Sequence, residues 1–169
     1  MFTGEYTHSM DAKNRIFVPK RLQESLDLDS EGHRTAIVTR GFEGCLFLFA
    51  SSGFEDVLAR LSTQPFEGSE RRKMQRMFFA NTHQGHLDAS GRVLIPEKLK
   101  AAAGIDKEVV FVGVVDRVEI WAKERWESYE EQSFDDFDAL DKVLVEPAQN
   151  GTSVTNVTNG VSLDGERGA

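Results

Sequence analysis

Two arginines, Arg15 and Arg92, each follow an aspartate by four residues, at Asp11 and Asp88. A carboxylate and a guanidinium at that separation have two uses. The aspartate can brace the arginine as an ion pair within one turn, or it can hold the turn while the guanidinium points outward. An outward guanidinium offers a planar fork of donors that fits phosphate oxygens, or O6 and N7 of guanine. The residue types alone leave both uses open. The first pair has more positive company, because Lys13, Asn14, Lys20 and Arg21 surround Arg15. The second has Ser90 and Gly91 in its turn, and Glu97 where the first has Lys20. If the turns share a ligand, the first should supply more of the charge. His8, His83 and His86 lie near the two aspartates, and His86-x-Asp88 on a strand would place both side chains on one face. Spacing fixes no third ligand and no histidine recurs at the matching place in the other copy, so no metal or other cofactor is expected. A metal-dependent hydrolase is the weakest reading. No Ser–His–Asp arrangement or phosphate-cradling glycine loop appears.

The elements that position these residues occur twice. Asp11-Ala12-Lys13-Asn14-Arg15-Ile16-Phe17-Val18-Pro19-Lys20-Arg21-Leu22 returns 77 residues later as Asp88-Ala89-Ser90-Gly91-Arg92-Val93-Leu94-Ile95-Pro96-Glu97-Lys98-Leu99. An aspartate opening a type I turn accepts from the backbone ahead of it, and Asn14 or Gly91 three residues on tolerates positive φ. This closes a bulged hairpin, with Arg15 or Arg92 first on the return strand. The apolar triplet before each proline reads as a short strand buried on both faces. Pro19 and Pro96 suit the first turn of a helix. Leu22, Leu26 and Leu28 match Leu99, Ala103 and Ile105, and Gly104 marks a helix end.

Around the turns the pattern continues in parallel. Residues 2–10 alternate as a half-buried strand, 35–39 and 46–49 are apolar strands, and Ser51 or Ser52 caps a helix carrying Phe54, Val57, Leu58 and Leu61. In the second copy 109–112 and 118–121 are the matching strands, and Trp126 falls where Phe54 fell. The division is a first repeat over 1–62, a linking helix in 63–79, a second repeat with an acidic C-terminal helix over 80–146, and a disordered tail at 147–169. The linking helix carries Met74, Met77 and Phe78 on one side. Its Arg71, Arg72, Lys73 and Arg76 are either a second phosphate-binding face or simply a solvated one.

The net charge of −8 argues against a polyanionic partner only until it is located. Residues 1–80 carry eleven basic and eleven acidic side chains, while 124–146 carry nine acids against Arg125 and Lys142. The acidity is thus local to one segment, and 11–21 holds four basic residues to one acid. Cys45 is the single cysteine, so an internal disulfide is excluded, and it heads an apolar strand where it should pack. No apolar run is long enough to span a bilayer and no signal pattern opens the chain, which points to a cytoplasmic protein without a membrane partner. The strips Phe47/Phe49 and Val118/Ile120/Trp121 should be core in part, but twelve Phe and two Trp in two small units are more apolar surface than one barrel readily hides, and a homo-oligomer would use the surplus.

The duplicated Asp-x-x-x-Arg turn with its apolar triplet and proline, and the opening Met1-Phe2-x-Gly4-Glu5-Tyr6, resemble the MraZ family of bacterial transcriptional regulators. The resemblance runs from Met1 to about Val145 and does not cover the tail. It implies an α+β chain with an AbrB-like swapped-hairpin β-barrel, built from two pseudo-symmetric repeats with short helices packed on it. It further implies a non-enzymatic regulator, associated with the nucleoid, that assembles into a ring. Its partner would be double-stranded DNA with short direct repeats, upstream of a cell-division and cell-wall gene cluster that includes its own gene. No small-molecule substrate is implied. Under the resemblance the DNA-binding residues are Lys13, Asn14, Arg15, Lys20, Arg21, Ser90, Gly91 and Arg92, with Asp11 and Asp88 structuring the turns. A second reading keeps the oligomer but makes it a protein-interaction module that docks a partner through the acidic helix.

Overall fold

Among the described residues the apolar strands and helices fall where the sequence places them, and the two copies then trade strands. The computed structural model describes residues 1–62, 68–134 and 137. Met1–Gln132 form one compact unit. The acidic segment beyond Phe134 lies outside the described residues except for Phe137, as does the tail 147–169. Phe134 and Phe137 are both exposed.

The first copy runs β1 (Phe2–Ser9), β2 (Arg15–Phe17), α1 (Lys20–Gln23), β3 (Thr35–Arg40), β4 (Leu46–Phe49) and α2 (Ser51–Ser62). Then comes α3 (Ser69–Phe79). The second copy runs β5 (His83–His86), β6 (Arg92–Leu94), α4 (Glu97–Ala103), β7 (Glu108–Val115), β8 (Val118–Ala122) and α5 (Lys123–Phe134). Both short helices start directly after a proline, where a missing N–H costs nothing. Gly104 ends α4 in the left-handed conformation.

Six strands form an antiparallel sheet in the order β1-β7-β8-β4-β3-β5, and β2 pairs with β6 in a separate two-stranded ribbon. The order is symmetric about the β4–β8 junction. The first strand of each copy lies against the other copy's hairpin, β1 on β7 and β5 on β3. Among the described residues β1 and β5 remain as the sheet's edges, so these strands do not close into one barrel. At the β1–β7 crossing Gly4 faces Gly113, and a methyl group on Gly113 would collide with the backbone of Phe2 and Thr3. That strand exchange therefore needs a residue without Cβ there.

The sheet is buried on both faces, which explains the unbroken apolar runs of its inner strands. Leu46 and Leu48 of β4 point into a core that also holds Ile16, Val18, Val93, Ile95 and Phe111 from both copies. Phe47 and Phe49, of opposite parity, join Ile37, Cys45, Phe54 and Trp121 on the far face. There α2 contributes Phe54, α3 contributes Phe78 stacked on it at 6.1 Å, and α5 contributes Trp126 beside Trp121. Phe47, Phe49 and Trp121 are thus covered by the chain's own helices, while Val118 and Ile120 face the other core, so both apolar strips are core. Apolar surface that stays open among the described residues includes Phe42 (65% exposed), Met77 and Phe79.

Two finer expectations are corrected. The apolar triplets alternate instead of being buried on both faces: Ile16 and Val18 are buried but Phe17 only half so, while Val93 and Ile95 flank an exposed Leu94. A two-stranded ribbon has one face on the core and the other outward, so period two prevails. Leu28 is also exposed, in the loop beyond α1 where it bridges to Arg34, whereas its counterpart Ile105 is buried. None of the described helices is long and apolar enough to cross a membrane.

Candidate nucleic-acid interface

The two turns are built alike, from local hydrogen bonds. Asp11 Oδ1 accepts from the backbone N–H groups of Lys13 and Arg15, each at 2.9 Å. Asn14 N–H donates to the Asp11 carbonyl at 3.0 Å, and Asn14 adopts φ of 57°. Asp88 Oδ1 accepts from Ser90 at 2.9 Å and Arg92 at 3.0 Å, with Gly91 N–H on the Asp88 carbonyl at 2.8 Å. A short acceptor at the head of the turn satisfies donors that would otherwise face inward without partners. The left-handed position is filled by the two residue types that accept it most readily.

The β2–β6 ribbon then brings these distant turns together. Arg15 pairs with Leu94, Ile16 with Val93 and Phe17 with Arg92, so the local symmetry axis passes between Ile16 and Val93. Asn14 carbonyl accepts from Ile95 N–H and Gly91 carbonyl from Val18 N–H, extending the ribbon at both ends. As a result the four charged side chains form one cluster. Arg15 Nε donates to Asp11 Oδ2 at 2.8 Å and its Nη2 lies 2.8 Å from the same oxygen, while Nη1 reaches Asp88 Oδ2 at 3.5 Å. Arg92 Nε donates to Asp88 Oδ2 at 2.8 Å and Nη1 to Asp11 Oδ2 at 3.4 Å. The bracing contact and the outward role are therefore compatible. A guanidinium carries five N–H donors, and these contacts use three on Arg15 and two on Arg92. The remainder sit on side chains about 30% exposed.

The electrostatics hold the carboxylates ionised. Asp11 is held at about 2, below its usual 3.8, first by the Arg15 backbone N–H and then by the Arg15 guanidinium, against an opposing effect of partial desolvation. Asp88 is lowered in the same way, chiefly by the Arg92 backbone N–H. A carboxyl whose folded pKa lies below its unfolded one stabilises the fold above the unfolded pKa, and that contribution is lost as pH falls through the folded pKa. The melting temperature should thus drop between pH about 4 and about 2. Asp11→Asn should flatten that limb, because an amide does not titrate. An acid limb as steep in the variant as in the native chain would remove Asp11 from the transition.

The structure gathers Asp11, Arg15, Asp88 and Arg92 in the cluster, with Asn14 and Gly91 at the turn positions beside the arginines and Lys13 and Ser90 exposed in the same turns. Lys20 and Arg21 stand exposed on α1 and make no bond to the cluster. Asn14 uses its side-chain amide within the protein, donating to Glu97 Oε2 at 2.6 Å and accepting from Lys100 Nζ at 3.1 Å. Gln23 Nε2 donates to the Val18 carbonyl at 2.7 Å and the Gly91 carbonyl at 3.4 Å. Reading the residues around the arginines passed over Gln23 and Lys100, although the 77-residue offset pairs them with each other.

His86 and His8 go to other partners. His86 Nε2 lies 2.9 Å from Asp29 Oδ2, so His86 and Asp88 do not share a site. His8 packs against Phe17 and Phe111, and burial pushes its pKa down. Among the described residues no group of three or more His, Cys, Asp or Glu is placed to hold a metal ion. Cys45 is buried among aromatic rings, which pushes its thiol up to about 12 and makes it a packing residue.

Comparison with known proteins matches both halves of the chain, residues 1–77 and 78–146, to the family model described as "MraZ protein, putative antitoxin-like". A transcriptional regulator MraZ of Lactobacillus helveticus is 39% identical over 140 residues, covering 83% of this chain and 94% of that protein. Its namesake in Moorella thermoacetica is 38% identical over 146 residues, covering 86% and 98%. That of Carboxydothermus hydrogenoformans is 43% identical over 129 residues, covering 76% and 86%. These relatives are named for regulation of transcription and not for catalysis. With both halves matched and most of its length shared, the chain belongs to the MraZ family.

Proposed function

We propose that this chain is a sequence-specific DNA-binding transcriptional regulator, acting as a ring-shaped homo-oligomer on short direct repeats. The repeats would lie upstream of its own gene, in a cell-division and cell-wall gene cluster. The observation that carries the reading is the charged cluster on the β2–β6 ribbon, where two arginines meet on one surface with donors to spare. The names of the relatives point the same way. Arg15 and Arg92 would read phosphate or base edges, Lys13 and Ser90 would flank them, Lys20 and Arg21 would add charge from α1, and Asn14 and Gly91 would set the turn. We read the exchange of β1 and β5 between copies as an AbrB-like swapped-hairpin arrangement, with repeats over 1–62 and 80–146 joined through 63–79.

A ring answers the objection from charge. One cluster with two arginines and two aspartates is electrically balanced, so a single contact is weak. Several copies engaging repeats at matching spacing gain affinity from multivalency without a new contact. The test has two arms. In a gel shift on the chain's upstream DNA, intact repeats should bind and scrambled repeats should bind no better than random DNA. Light scattering at micromolar concentration should give a mass several times 18.9 kDa. Equal binding to intact and scrambled repeats would remove sequence specificity, and a clean monomer would remove the multivalency.

A further inference from the structure

We infer that Lys100 is a positioning residue for the first turn: from the second repeat's helix it holds Asn14, and through Asn14 it aims Arg15. The inference rests on the DNA reading above and adds to it how the arginine is set.

Asn14 is the one non-glycine residue at the left-handed position of either turn, with φ of 57° against 77° for Gly91. Its amide is gripped at both ends by α4, Nδ2 on Glu97 Oε2 at 2.6 Å and Oδ1 under Lys100 Nζ at 3.1 Å. A cation on the amide oxygen and a carboxylate on the amide nitrogen polarise the group in one direction. That favours a single orientation of the side chain. The next residue is Arg15, whose side chain branches from the residue directly after the gripped one. The aim of Arg15, held directly by Asp11, therefore also depends on a helix more than 80 residues away in sequence.

The other copy performs the same task with different chemistry. Gln23, equivalent to Lys100 at the 77-residue offset, reaches the second turn and donates to the Gly91 carbonyl. Glycine has no side chain to grip, and the Gln23 amide occupies the space that a Cβ on residue 91 would fill. Each turn is thus secured by the helix of the opposite repeat, through the same helix position. A lysine serves where the turn offers an amide oxygen, and a glutamine where it offers only a backbone carbonyl.

The experiment measures affinity for operator DNA and its salt dependence in Lys100→Met, Lys100→Gln, Arg15→Ala and the Lys100→Met/Arg15→Ala double variant. Melting temperature is recorded for each. Lys100→Met keeps the stem and removes the donor, and should weaken binding roughly tenfold, as loss of one charge-assisted hydrogen bond would. The slope of log affinity on log salt should not change, because Lys100 touches no phosphate. Lys100→Gln restores a donor of the kind used at position 23 and should recover most of the affinity. The double variant should bind no more weakly than Arg15→Ala, since both changes remove one contact. Full affinity in Lys100→Met would overturn the inference. So would a slope shallower by about one with no rescue by glutamine, the mark of a direct phosphate contact. Either result leaves the DNA reading standing if Arg15→Ala still loses binding. Unchanged affinity in Arg15→Ala would overturn both.

Discussion

Arg15→Ala should lose specific binding to repeated operator DNA while keeping its fold and its oligomeric state. A bidentate base contact is worth roughly 1–3 kcal/mol per site, and a ring engaging several repeats multiplies the loss across its copies. The fold should survive because Asp11 is not orphaned. Its Oδ1 keeps the Lys13 and Arg15 backbone N–H groups, and its Oδ2 keeps Arg92 Nη1 at 3.4 Å. Arg92→Ala should do less, because its copy has Ser90 and Glu97 where the first has Lys13 and Lys20. If Arg15 meets only phosphate, affinity should instead fall equally on specific and random DNA. A pure bracing role leaves another pattern, in which Arg15→Ala lowers the melting temperature, Asp11→Ala mimics it, and DNA affinity stays put. Recording affinity and melting temperature for both variants separates these outcomes.

The largest loss of stability is expected from Ile16→Ala. Ile16 is fully buried, sits opposite Val93 in the ribbon register, and packs in the core shared by both copies. Truncating a buried isoleucine to alanine costs about 2–5 kcal/mol through lost transfer energy and the cavity left behind. Here the damage falls on the ladder that holds the two turns together, so operator binding should weaken with it. Leu94→Ala is the control: it lies in the same ribbon but is 47% exposed, and its truncation should change stability by about 0.5 kcal/mol or less. Denaturant unfolding of the two variants checks this, and equal losses would mean that the ribbon's outer face is covered by something else.

Most of the secondary structure was legible in the residues because it is specified locally. The aspartate, the left-handed residue and the arginine of each turn lie within five positions, and so do the hydrogen bonds they make. The prolines before α1 and α4 and the glycine after α4 act at the helix ends they adjoin. The repeat itself was visible because duplication preserves spacing. The burial of the triplets was misjudged, since a three-residue apolar run looks the same whether one face or two is covered. Only the ribbon's position shows that Leu94 faces out.

What the chain alone determined is therefore the part built from near neighbours: two Asp–Arg turns, their strands and helices, and the kinship those motifs carry. What tertiary structure decided is which distant groups meet. Pairing β2 with β6 puts Arg15 within reach of Asp88, and the opposed helices bring Lys100 to Asn14 and Gln23 to Gly91. Those contacts join residues 68 to 86 positions apart. No local propensity encodes them. They follow from burying Ile16 and Val93 against one another and both sheet faces at once, a choice made by the summed packing of two copies in one core.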